Sequence, residues 1–219
     1  MNYDKLIKFL SELSKNNNKE WFDANRPEYD GLRFDFENMV RDIILGIGEF
    51  DSKIKLIDPK KAMFRINRDI RFSKDKTPYK TNFSAGITNF KKSSGLPEYY
   101  FHIDKDGNMA VGGGMWNPDI DQLKAIRDHI VQQPESLEDI VYDKDFAEYF
   151  GDLDGDSLVR VPRGYDETNP LIKYIKLKRF TVFKEFNISN RKVKDPLKKA
   201  LEVYKEMYIF IDWLREAVA

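Results

Sequence analysis

The spacing of the hydrophobic residues changes from a helical period to a strand period after the first sixty residues, and this change limits the folds open to the chain. From Tyr29 to Ile47 the apolar residues recur every three or four positions, which is typical of one face of an amphipathic helix. Between Ala62 and Met115 apolar and polar residues alternate, which is typical of half-buried strands. The sequence therefore predicts helices first and a sheet after them.

Turn signals indicate how the strands connect. Asp106-Gly107 predicts a hairpin between strands at about 99–103 and 109–111, and hairpin-joined strands are antiparallel. Further strands are predicted at 64–72, 83–87 and 178–186, and further helices from 117, within 135–150 and at about 196–218. We therefore expect a single α+β domain over residues 1–219, an antiparallel sheet with helices packed on it, N-terminal helices and a long C-terminal helix.

Composition excludes several kinds of chemistry. The 219 residues contain no cysteine, so disulfides, thiolate nucleophiles and iron–sulfur clusters are excluded. Paired histidines at metal-ligand spacing and a GxSxG nucleophile motif do not occur in the sequence, and we expect no metal and no cofactor. Because no apolar run approaches the ~20 residues of a membrane span, a cytoplasmic location without a membrane partner is expected.

Charge is segregated along the chain although its total is zero, with 37 basic and 37 acidic residues. Residues 60–80 carry a net charge of +6, residues 135–156 carry −8, and residues 173–199 carry +8. Local fields of this kind govern which ligands a surface attracts.

The first basic block contains the densest candidate site. If it begins as a strand, one face carries Arg65, Asn67, Asp69 and Arg71. The guanidinium groups of Arg65 and Arg71 suit a planar or tetrahedral anion. Arg68 then falls on the opposite face, either buried with a partner or turned outward by a bulge. The alternative is a solvated strand with weak surface salt bridges. The predicted ligand-binding residues are Arg65, Arg68, Arg71, Lys74, Lys76, Tyr79, Lys80 and Arg163.

Other segments suggest proton transfer or anion binding. His102 is flanked on its strand by Tyr100 and Asp104, and Tyr165 follows Arg163 in a turn, so His102 and Tyr165 are the candidate catalytic residues. The alternative is a hydrogen-bonded structural histidine and a rigid loop. Gly112-Gly113-Gly114 either precedes a helix N-terminus that holds an anion or lets neighbouring elements pack closely.

Five segments in order resemble an uncharacterised family widespread in bacteria, domain of unknown function 2461. They are NNNKEWF at 16–22, RDIRFSKDKTPYKT at 68–81, GGGMWNP at 112–118, VPRGYD at 161–166 and LKRF at 177–180. The resemblance covers about residues 6–186 and implies one domain of that family, but it brings no activity. Asn169 stands where many relatives are expected to carry histidine, so no catalytic histidine is expected there.

Three functions remain open from the sequence. The first is a pocket for a phosphate- or carboxylate-bearing small molecule, with or without catalysis. The second is a nucleic-acid surface formed by the two basic blocks and their aromatic residues, although the sequence pI of about 6.8 is low for such a domain. The third is a protein-interaction module in which the acidic block at 135–156 binds a basic partner or a second copy of the chain.

Overall fold

The computed structural model describes residues 1–90, 94–189 and 193–219. Two residues of the third charge block, Arg191 and Lys192, lie outside the described residues. The N-terminal helices are α1 (Tyr3–Lys15), α2 (Lys19–Ala24), α3 (Arg26–Gly48) and the short α4 (Pro59–Ala62), with a 3-10 turn at Ser52–Ile54. The later helices are α5 (Ile120–Gln132), α6 (Pro134–Val141), α7 (Lys144–Phe150), α8 (Ile172–Ile175) and α9 (Pro196–Ala217).

Four strands form one antiparallel sheet: β1 (Asn82–Ile87), β2 (Glu98–Asp104), β3 (Asn108–Met115) and β4 (Phe180–Asn187). Their order in the sheet is their order in the chain. The tight connection between β2 and β3 contains Gly107 at φ +76°, the left-handed conformation that glycine adopts without a steric penalty. The α+β prediction is confirmed, including the N-terminal helices and the long α9, which packs on the sheet.

The chain forms two compact units. The first comprises residues 1–87, 100–111 and 185–201. Its core is aromatic: the ring of Phe36 meets Phe83 edge-on at 5.4 Å and stacks on Phe101 at 6.0 Å between centroids. These contacts hold the middle of α3 against β1 and β2.

The second unit comprises residues 88–99, 112–184 and 202–219. Its core includes an edge-on contact between Tyr99 and Tyr204 and a similar contact between Phe146 and Phe210. Arg127 is buried here because its guanidinium donates to the carbonyl oxygens of Ile175 and Leu177, which satisfies the charged group. No helix in the described ranges is both long and apolar enough to cross a membrane.

Local sequence sets the break between α2 and α3. Asn18 caps the N-terminus of α2, where its side chain accepts a hydrogen bond from the N–H of Trp21. Pro27 stands within the first two positions of α3, where a helix needs no N–H from it. The chain thus turns at Asn25 and starts a new helix at Arg26.

The predicted strand at 64–72 is wrong. Only isolated antiparallel bridges form there, between Met63 and Ala85 and between Asn67 and Tyr79. Beyond the bridge between Asn67 and Tyr79, the next antiparallel pair is Arg68 and Pro78. Pro78 has no N–H to donate, so the ladder cannot continue through it. Residues 69–77 form a loop instead.

Two other boundaries differ from expectation. Helix α5 begins at Ile120 rather than at 117, because Asp119 accepts from the N–H of Gln122 and completes a capping box. The Gly112–Gly114 run lies inside β3 and not before a helix. A Cβ atom at Gly114, which has φ +123°, would overlap the carbonyl oxygen of Phe180, so these glycines serve close packing.

Candidate anion-binding site

A cleft of about 330 Å³ opens in the first unit, between the start of α3 and residues 65–67. We call it the arginine cleft. Its volume lies at the lower end of the range for small-molecule sites. The lining residues are Phe22, Arg26, Tyr29, Asp30, Arg33, Arg65, Ile66, Asn67 and Tyr79.

Helix α3 supplies one wall of the cleft, because four of its lining residues are spaced along a single helical face. Arg26, Tyr29, Asp30 and Arg33 are separated by three, four and seven residues from the first, so they lie along one face over the first two turns. Tyr29 is buried, while the three charged side chains are exposed. The helix thereby presents two guanidinium groups and one carboxylate to the cleft.

The opposite wall is the extended chain at 65–67. Ile66 is buried while Arg65 and Asn67 on either side are exposed, which is the alternation of extended backbone. The N–H of Lys80 donates to the carbonyl of Ile66 at 2.8 Å, and the N–H of Arg68 donates to the carbonyl of Pro78 at 2.8 Å. These two bonds fix the backbone on both sides of Asn67.

The remaining lining is aromatic. Tyr79 stacks on Phe22 with centroids 4.1 Å apart and planes 17° apart, and Phe22 also contacts Tyr29 at 4.9 Å. The guanidinium carbon of Arg26 lies 5.2 Å from the Phe22 centroid, and its Nη2 donates to Asp23 at 2.6 Å. Arg26 therefore already has an anionic partner.

Four other polar side chains of the cleft have no such partner. Among the residues that the structure describes, Asp30, Arg33, Arg65 and Asn67 make no side-chain hydrogen bond and no ion pair. Burial raises the pKa of the Tyr29 hydroxyl, and the positive charge of Arg33 opposes that rise. The cleft thus offers two guanidinium donors, one carboxylate and one amide to a ligand.

The structure brings together two of the predicted ligand-binding residues, Arg65 and Tyr79, in this cleft. Lys80 directly follows Tyr79 and is half-buried, and its Nζ lies 5.2 Å from the centroid of the Phe64 ring. Burial lowers the pKa of Lys80, and the charge of Arg65 lowers it further.

Three more of the predicted residues, Arg68, Arg71 and Lys76, make contacts within residues 68–77. Arg68 donates to the Asp75 carboxylate and to the Oγ1 and carbonyl of Thr77. Arg71 binds Asp69 through Nε at 3.0 Å and Nη2 at 2.7 Å, and Lys76 donates to the carbonyl of Ile70 at 2.9 Å. Lys74 is exposed.

The backbone N–H of Thr77, followed by the Arg68 and Thr77 side chains, lowers the pKa of Asp75 to about 2. The carboxylate stays charged and holds Arg68 inside the loop. The strand prediction left Arg68 either buried with a partner or turned outward. In the structure its side chain clamps the 69–77 loop.

Arg163 and Tyr165 belong to the second unit. Arg163 is exposed. The hydroxyl of Tyr165 donates to Asp128 Oδ1 at 2.8 Å, and burial together with this bond raises its pKa to about 12. A tyrosine with that pKa is protonated at neutral pH, so its hydroxyl is a hydrogen-bond donor there.

His102 belongs to the first unit and is half-buried on β2. Its Nδ1 lies 3.2 Å from the Tyr100 hydroxyl, and the two rings meet edge-on at 5.6 Å between centroids. Burial lowers the His102 pKa, against the opposing charges of Asp104 and Glu185. A neutral imidazole of this kind can accept a proton, but His102 does not line the arginine cleft.

The aromatic residues proposed to stack on nucleic-acid bases are distributed unevenly. Tyr79, Tyr174 and Phe180 are buried, and Phe183 is half-buried. Phe72 is 95% exposed, in the 69–77 loop. Base stacking needs an open ring face, so Phe72 is the one of the five that offers it fully.

Sequence reasoning missed the contribution of α3 to the cleft. Arg26, Asp30 and Arg33 border the apolar stripe that identified the helix, and they have the spacing of one helical face. That spacing is the signal that could have found them. In the described ranges no group of three histidine, aspartate or glutamate side chains lies close enough to hold a metal ion.

The family model for the conserved hypothetical protein DUF2461 matches residues 5–213. The match covers nearly the whole chain, including every element that forms the arginine cleft. No curated protein and no solved structure matches the chain. The chain therefore belongs to the DUF2461 family of conserved hypothetical proteins.

Proposed function

We propose that this protein binds a phosphate- or carboxylate-bearing small molecule in the arginine cleft. The observation that supports the proposal most is the position of Arg33 and Arg65, which come from separate segments and line one cleft. Neither has an ion pair within the described residues. Guanidinium groups that remain unpaired on one concave surface form charge-assisted hydrogen bonds to an entering anion.

The scaffold of the cleft supports the same role. Arg65 lies on backbone fixed by hydrogen bonds to 78–80, and Arg33 lies on the second turn of a 23-residue helix. A site on such supported elements keeps the backbone of its donor residues in place before the ligand arrives, so the entropy lost on binding is limited to the side chains.

Calorimetric titration with inorganic phosphate at pH 7.5 tests this proposal. Arg33→Gln and Arg65→Gln should each weaken phosphate binding by about tenfold or more, since each removes a hydrogen bond to a charged group. Arg160→Gln is the matched control, because Arg160 is exposed in the second unit and has no ion pair in the described residues. It changes the net charge equally and should leave the affinity unchanged. Equal losses in all three variants would mean that general charge, and not the cleft, attracts phosphate.

A further inference from the structure

We infer that the ligand of the arginine cleft is a small hydroxylated phosphomonoester, such as a sugar or polyol phosphate. The inference rests on the proposed function and narrows its ligand class. It follows from the four unpartnered side chains of the cleft, which combine two cations with a carboxylate and an amide.

The two guanidinium groups favour phosphate over carboxylate. A single fork-shaped guanidinium satisfies both oxygens of a carboxylate, whereas a phosphomonoester offers three terminal oxygens and a charge of −1.5 to −2 near pH 7. Arg33 and Arg65 together supply two such forks from two walls. Their combined charge matches a dianion.

Asp30 requires a second kind of group in the ligand. Its carboxylate lines the same cleft and repels any anion close to it, so the part of the ligand beside Asp30 must donate hydrogen bonds. Asn67 adds one more acceptor and a donor on the other wall. Hydroxyl groups on a carbon chain or ring satisfy both side chains.

The size and lining of the cleft agree with this class. A volume of about 330 Å³ admits a triose to hexose phosphate but leaves little room for a dinucleotide. Phe22, Tyr29 and Tyr79 line it with aromatic carbon, against which the C–H groups of a polyol pack.

Calorimetric titrations of the unmodified protein with glycerol 3-phosphate, ethyl phosphate and malonate test the inference. Glycerol 3-phosphate should bind about five- to tenfold tighter than ethyl phosphate, because it adds hydrogen bonds to a charged acceptor. Malonate should bind more weakly than either phosphate. In Asp30→Ala the preference for glycerol 3-phosphate should fall to about twofold or less, while ethyl phosphate binds at least as tightly as before.

The outcomes separate the two proposals. If glycerol 3-phosphate binds no tighter than ethyl phosphate, or if malonate binds best, the inference is overturned while anion binding in the cleft stands. If none of the three anions binds at millimolar concentration, the proposed function fails as well. An undiminished preference in both Asp30→Ala and Asn67→Ala overturns the assignment of these side chains to the hydroxyl groups.

Discussion

The side-chain amide of Asn17 forms both main-chain hydrogen bonds of Tyr79. Its Oδ1 accepts from the Tyr79 N–H at 3.0 Å, and its Nδ2 donates to the Tyr79 carbonyl at 2.9 Å. Asn17 lies between α1 and α2, and Tyr79 lies 62 residues further on. This pair joins the first two family-like segments and sets the position of the aromatic lining of the arginine cleft.

Asn17→Ala should destabilise the protein by about 2 kcal/mol, because it leaves two partly buried backbone groups without partners. Urea unfolding followed by circular dichroism measures the change. Asn38→Ala is the control: its amide contacts Arg41 at an exposed position, so the expected change is below about 0.5 kcal/mol. A loss of the same size in both variants would remove the special role of Asn17.

Arg68→Lys should loosen the 69–77 loop. Lysine cannot reproduce the branched contacts that Arg68 makes with Asp75 and Thr77. Hydrogen exchange measured by mass spectrometry should show faster exchange in the peptide that contains residues 69–78. Arg71→Lys changes a neighbouring arginine whose partner is the exposed Asp69, so exchange in the rest of the loop should stay as in the unmodified protein. Unchanged exchange in Arg68→Lys would show that the loop does not depend on the clamp.

Asp75 should titrate with a pKa of about 2 in the folded protein, compared with about 3.9 in an unfolded chain. A depressed carboxyl pKa stabilises the folded state above pH 4, and this contribution is lost as the pH falls from about 4 to 2. NMR titration of the side-chain carboxyl carbon reports the value. In Arg68→Gln it should rise toward 3.9, but only part of the way, because the Thr77 N–H still contributes. A carboxyl that titrates near 3.9 in the unmodified protein contradicts the clamp.

Gly114→Ala should destabilise the protein by about 3 kcal/mol or more, because φ is +123° and a Cβ would overlap the Phe180 carbonyl. Gly31→Ala is a matched substitution in α3 where nothing lies within 4 Å of the added Cβ. It should stabilise the protein by about 0.5–1 kcal/mol, the helix-propensity difference. Thermal unfolding of both variants measures the contrast, and a similar stability for the two would contradict the packing described for β3.

The regular elements could be predicted because their signals are local. Helix α3 has its apolar stripe, the β2–β3 hairpin has Asp106-Gly107, and α9 begins at Pro196, directly after Asp195. The strand predicted at 64–72 was wrong because alternation of polar and apolar residues does not reveal whether a partner can continue the ladder. Here the ladder stops because Pro78 has no N–H to donate and because the Arg68 side chain bonds to Thr77. Both contacts join residues that are not neighbours in the sequence.

Only part of the candidate site could be predicted from the sequence. Arg65 and Tyr79 belong to one continuous basic segment, so composition drew attention to them. Arg33 lies 32 positions before Arg65, and no local pattern indicates that the two share a cleft. The sequence also does not show how Arg68 and Arg71 are paired. The charge density around them suggested ligand binding, but the fold pairs Arg68 with Asp75 and Arg71 with Asp69.

A crystal soaked in sodium selenate shows whether the arginine cleft holds an anion, because selenate is a tetrahedral dianion whose selenium is located by anomalous scattering. We expect the strongest anomalous peak in the arginine cleft, with selenate oxygens within about 3 Å of the Arg33 and Arg65 guanidinium groups. The peak should disappear in crystals of Arg33→Gln. Selenate bound elsewhere on the protein while the cleft stays free of it would show that the arginine cleft is not an anion site.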